Sequence, residues 1–122
     1  MAKGKVNVKL LKKNLTLPMH KLVLKAIDIP IFSESDREWR CYSGDKYKNA
    51  LEGKVKLYFY PDSGLYVGYN SARTYDLIGL VQQRLKVLGK NCSFMDAINL
   101  ILSVTGLDPD AVQRVNTNPN LS

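Results

Sequence analysis

KVKLYFYPDSGLYVGYNSARTYDLIGLV, Lys54 to Val81, decides how this chain folds. In its first quarter Val55, Leu57 and Phe59 alternate with Lys54, Lys56, Tyr58 and Tyr60, the period-two pattern that puts apolar side chains on one face of a strand and polar ones on the other. PDSG (61–64) reads as a turn, and LYVGY returns as the second strand of an antiparallel hairpin. The chain then passes a four-residue knuckle, YNSA (69–72), and restarts as an amphipathic helix. Thr74 is its predicted cap, Leu77, Ile78, Val81, Leu85 and Leu88 are its apolar stripe, and Gly89 ends it. A strand-to-helix turn this short asks for a clamp, and the knuckle offers only Gly68, Tyr69, Asn70 and Ser71.

The remaining elements extend outward from this unit. Upstream, LTLPMHKLVLKAIDIP reads as a short helix with Pro18 near its start, Leu22, Val23, Ala26 and Ile27 on one face, and Pro30 as its stop. EWRCYSGDKY reads as a strand ending in a Ser-Gly-Asp turn. Downstream, Ser93 and Asp96 form a capping box for a helix through FMDAINLILSVTG that closes at Gly106, and Asp108 caps a last short helix beginning at Pro109. The expected fold class is α+β, with a small antiparallel sheet of about three strands packed against two to three helices. The domain reading is a basic amino-terminal arm over 1–16, one domain over 17–115 and a polar tail over 116–122.

Composition narrows the function classes. A chain of 122 residues, 45% hydrophobic, supports one core and no second domain. No apolar run approaches membrane-spanning length and no signal segment is read at the start, so the expectation is a cytoplasmic protein without a membrane partner. Cys41 and Cys92 form no CxxC or CxxH pair and read as reduced thiols. The net charge of +7 comes from the first 27 residues, where Lys3, Lys5, Lys9, Lys12, Lys13, Lys21 and Lys25 meet no acid; the rest balances at eleven basic and eleven acidic side chains. Such an arm attracts polyanions through phosphate contacts, or simply solubilises a frayed terminus.

Catalytic patterns are missing from the sequence. The single His20 has no nucleophile at a telling spacing and reads as an exposed or partly packed side chain. Glu34, Asp36 and Glu38 around Arg37 read as a solvated loop rather than a magnesium site. No Walker loop, GxSxG or HExxH occurs. A non-catalytic binding module is therefore expected, with no cofactor and no metal.

The hairpin carries the binding hypothesis. Two lysines followed by two tyrosines occupy the face opposite the core, with Trp39, Arg40 and Tyr42 contributed by the preceding strand and Tyr66, Tyr69 and Arg73 following the turn. Single-stranded nucleic acid is held by such a combination, bases on rings and cations along the backbone. Tyrosines that merely favour strands, with lysines keeping an edge soluble, produce the same pattern. The predicted contacts are Tyr58, Tyr60 and Tyr66 for stacking, with Arg40, Lys54, Lys56 and Arg73 on the backbone and Lys9, Lys12 and Lys13 from the arm. If the register across PDSG slips by one, Tyr66 turns inward and Tyr69 outward.

From about Leu22 to Leu107 the order of elements resembles the amino-terminal zinc-binding domain of bacterial and phage DNA primases. That family has a helix, a CPxH strand, a hairpin with a CxxC knuckle, a GDxIxFV helix start and an S-F-x-E-A helix. Here YDLIGLV (75–81) stands where GDxIxFV would, keeping Asp76, Ile78 and Val81, and SFMDAINLILSVTGL follows the last helix in pattern. The four ligand positions would fall on Cys41, Gly44, Gly68 and Ser71, so three of four ligands are replaced. The resemblance implies a degenerate, metal-free form of the domain, and because Tyr42, Tyr69 and Tyr75 cluster around the lost positions in sequence, a small aromatic plug is expected to replace the clamp. It implies a replication accessory from a phage or mobile element that binds single-stranded template DNA and works in trans with a polymerase, primase or helicase. The alternatives are a module that recruits or inhibits a host replication enzyme without touching DNA, and a transcriptional regulator using the Thr74–Leu88 helix.

Overall fold

The computed structural model describes residues 6–69 and 72–112. In chain order these form α1 (Val8–Asn14), α2 (Leu17–Ala26), β1 (Ile31–Glu34), β2 (Trp39–Cys41), β3 (Leu57–Tyr60), β4 (Leu65–Gly68), β5 (Arg73–Tyr75), α3 (Leu77–Val87) and α4 (Phe94–Thr105), with single 3-10 turns at Ala50–Glu52 and Pro109–Val112. The α+β class follows the sequence reading, but the sheet is wider: five antiparallel strands in simple sequential order. The extra strands are short edges. β1 draws on the stretch expected to be an acidic loop, and β5 takes Thr74, so the cap of α3 is Asp76, whose Oδ1 accepts the Gly79 N–H at 2.7 Å.

The hairpin register is set at the turn. Gly64, at φ 72°, donates its N–H to Tyr60 O and brings Tyr60 opposite Leu65, hence Phe59 opposite Tyr66 and Tyr58 opposite Val67. The inner face then reads Trp39, Phe59, Tyr66 and Tyr75 across four strands, and the helices close over it through Val23, Leu24, Ile78, Val81, Ile98 and Ile101.

Two parts of the chain depart from expectation. The first is the basic arm, since residues 8–14 are a helix capped by Asn7, with Leu11 fully buried in the common core and Lys12 ion-paired to Asp76 at 3.1 Å. The folded body thus includes α1, and the boundary expected at residue 17 falls inside it. The second is the face of α2, where Leu22 is exposed and His20 buried.

The clamp sought at the knuckle lies elsewhere. Arg84, on α3, is buried and donates to four carbonyls: Ile27 O at 2.7 Å, Asp28 O at 3.2 Å, Gly44 O at 3.2 Å and Tyr47 O at 2.7 Å. It ties the end of α2 to the turn after β2. Asp28 sits at φ 64°, a left-handed conformation that few residues other than glycine adopt readily, as the residue after a cap in which Asp28 N–H reaches Lys25 O and Ile29 N–H reaches Leu24 O. The guanidinium holds the carbonyls of that strained turn from the other side, and desolvation lowers its pKa.

Candidate nucleic-acid interface

The strand register separates the expected contacts into two groups. Ser33, Arg40, Tyr58, Val67 and Thr74 form one row across all five strands, pointing away from the core. Around its centre four of the candidate side chains meet. The Tyr58 and Tyr69 rings lie 4.9 Å apart at 41°, and the Arg40 guanidinium sits 5.9 Å from the Tyr58 centroid. Tyr60 is hydrogen-bonded to Tyr69, which, together with weaker desolvation and neighbouring charge, pushes its phenol up to about 12. It therefore stays neutral through the physiological range. Tyr69 is 54% exposed, and Lys54 and Lys56 are exposed on the approach to β3.

This cluster is a ribbon of aromatic surface with a cation on one side. The Tyr58 and Tyr69 rings prop each other at a tilted angle, so any flat group stacked on them would meet faces that are already ordered and would cost less rotamer freedom. One carboxylate stands among them. Glu38 Oε2 accepts from Arg40 Nε at 2.9 Å, so a phosphate approaching Arg40 competes with an acid already in place.

Other expected contacts are corrected. Tyr66 is fully buried and its hydroxyl lies 2.8 Å from His20 Nδ1, so it belongs to the core and cannot stack on a base; Tyr69 takes the outward place, as the slipped register anticipated. Trp39 is likewise internal, 4.6 Å from Phe59. Arg73 stands in the inward row, opposite Gly68, and opens toward α3 rather than toward Tyr58. Lys12 is engaged with Asp76 in the helical layer, and Lys9 and Lys13 ride on the same helix, away from a flexible arm's reach.

The aromatic plug is corrected as well. Tyr42 packs edge-on against Phe32 at 6.0 Å, Tyr69 pairs with Tyr58, and the Tyr75 hydroxyl donates to Asp45 Oδ2 at 3.4 Å, three separate destinations. Of the four positions aligned with zinc ligands, Ser71 lies outside the described residues, as does Asn70 of the knuckle. Cys41 is buried and its thiol is pushed up to about 12 by burial, so it keeps its proton where a metal would need a thiolate. Among the described residues no group of three or more His, Cys, Asp or Glu side chains is placed to hold a metal ion. Among them, too, no helix is long and apolar enough to cross a membrane.

His20, Ser43, Asp45 and Arg84 are the buried polar residues whose burial sequence reasoning missed. The available signal for Arg84 was its position in the apolar stripe, one turn after Leu80 and Val81, where a cation has no place unless carbonyls converge on it. Comparison with protein families, with curated proteins and with solved structures finds no match for this chain.

Proposed function

We propose that the open face of the sheet binds single-stranded DNA and that the protein is a non-catalytic replication accessory, acting in trans with a polymerase, primase or helicase. The observation that carries the binding reading is the joined cluster of Arg40, Tyr58, Tyr60 and Tyr69 on an uncovered sheet surface flanked by Lys54 and Lys56. Aromatic faces accept any base, and cations beside them accept the backbone. The replication context rests on the resemblance over Leu22 to Leu107 alone. A second reading, a module that docks on a host replication enzyme without DNA, is favoured by Phe94 and Met95, which expose 45% and 48% of their surface on the first turn of α4.

One variant separates the two. In Tyr58→Ala/Tyr69→Ala, affinity for oligothymidylate should fall by roughly 2–6 kcal/mol, about 1–3 for each stacked base. Fluorescence anisotropy at moderate salt measures it. A parent that binds no oligonucleotide, or a variant that binds as well as the parent, removes the stacking face and leaves the docking reading.

A further inference from the structure

The last strand of the sheet also borders a second cationic surface. Thr74 continues the outward row, while Arg73 beside it projects to the other side of the sheet, where β5 has no further neighbour. Ala72, just before this strand, is left-handed at φ 55°, and the register, with Arg73 opposite Gly68, sets Arg73 on the side away from the tyrosines. Arg73 opens onto a cleft of about 480 Å³ between β5, α3 and the loop before α4, whose lining includes Tyr75, Gln82, Lys86, Lys90 and Asn91.

The chemistry of this cleft is one-sided. None of its described lining residues is acidic, and Arg73, Lys86 and Lys90 take part in none of the described ion pairs. Its walls are fixed: Gln82 Nε2 donates to Cys92 O at 3.3 Å and Gln83 Nε2 to Asp45 O at 2.9 Å. Three of the carbonyls in the last turn of α3, which would repel an anion, already accept backbone bonds, since Leu88, Gly89 and Lys90 N–H groups donate to Arg84, Lys86 and Leu85. Three cations around a concave surface whose own lining carries no acid, the Asp45 carboxylate behind it being engaged by the Tyr75 hydroxyl, suit a ligand bearing several phosphates.

We infer that this cleft binds phosphate groups, those of a single strand that crosses the tyrosine face and turns over the β5 edge. The inference rests on the reading of that face. From Tyr58 on β3 to Thr74 on β5 is two strand spacings, about 10 Å. A short oligonucleotide fills the face alone, and a longer one reaches both surfaces. A free oligophosphate presents the same chemistry without the bases.

Labelled oligothymidylates of about 4 and about 16 nucleotides are titrated against the parent, Lys86→Gln/Lys90→Gln and Tyr58→Ala/Tyr69→Ala over a range of salt, with calorimetry of tripolyphosphate alongside. The lysine variant should bind the short oligomer as the parent does and the long one about tenfold more weakly, its salt slope reduced by about 1.4 for two lost contacts. Both lysines are partly or fully exposed, and an unchanged melting temperature verifies the fold. Parental affinity and slope for both lengths, with no tripolyphosphate bound, overturns the cleft. If only the tyrosine variant loses binding, the cleft falls and the face stands; if only the lysine variant loses it, the face falls and the cleft stands. Tripolyphosphate bound by the parent and not by the lysine variant, with oligonucleotide binding unchanged, keeps a phosphate site and removes the strand from it.

Discussion

On the inner face of the sheet Trp39, Phe59, Tyr66 and Tyr75 stand side by side and are sealed under helices; on the outer face Tyr58, Tyr60 and Tyr69 sit beside Arg40 in contact with solvent. The residue types are almost the same, and the polar neighbours differ. Inside, the hydroxyl of Tyr66 finds the one buried imidazole, and burial pushes its phenol well up. Outside, tyrosine hydroxyls find each other and a guanidinium finds a ring. A tyrosine row is therefore core or open surface according to what meets its polar end, and a shift of one residue in register exchanges the two.

The largest contrast should appear in stability. Phe59 touches Trp39, Tyr66 and His20 at centroid distances of 4.6, 4.5 and 4.7 Å. Phe59→Ala should cost about 3–5 kcal/mol of unfolding free energy, the usual range for emptying a core aromatic. Tyr58→Ala, the adjacent residue on the other face, should cost under about 1 kcal/mol. Urea denaturation measures both, and equal costs would mean that the outer row is packed rather than open.

The inner face should also answer to pH where the outer one does not. Burial holds the His20 imidazole down to about 4, from an ordinary 6.5. Between those values the unfolded chain takes up a proton that the folded chain refuses. Stability is therefore full above pH 6.5 and declines as pH falls, by up to about 1.4 kcal/mol per unit and about 3 kcal/mol in all. His20→Phe removes the titration. It also leaves the Tyr66 hydroxyl without its partner, so the comparison is of slopes between neutral pH and about 5, above most carboxylate titration. A variant as pH-sensitive as the parent would place the titrating group elsewhere.

How much of this was legible in the sequence depended on whether a pattern was local. Alternation in Lys54–Tyr60 sorted Leu57 and Phe59 from Tyr58 and Tyr60, and both capping residues of α4, Ser93 and Gly106, were readable because each acts within a few residues of itself. Tyr66 was misplaced because its parity depends on the geometry of Gly64, which the letters PDSG leave open. β1 was missed because Ile31–Glu34 is an edge with one half-buried and three exposed residues, without a buried face to show alternation. Leu11 was hidden among lysines. Arg84 was legible only in part: its place in the apolar stripe of α3 marks it, but its four carbonyl partners come from segments 37 to 57 residues away, and nothing in a one-dimensional pattern says which backbone oxygens meet it.

The smallest expected effect concerns Glu38, the acid that pairs with Arg40 on the outer face. Glu38 holds Arg40 through a contact between side chains that are 27% and 53% exposed, and such solvent-screened surface pairs contribute little to stability. Glu38→Gln should therefore leave the melting temperature nearly unchanged. It should strengthen oligonucleotide binding, because it removes a like charge from the path of the backbone and leaves the guanidinium, still over Tyr58, open to a phosphate. If Arg40 then makes one contact that it did not make before, the salt slope steepens by about 0.7. Arg40→Gln in the Glu38→Gln background should cancel that gain. Strengthening that survives loss of Arg40 would trace the effect to the charge of the face as a whole, and weakening would mean that Glu38 serves the interface by holding the guanidinium flat above the ring on which a base is to stack.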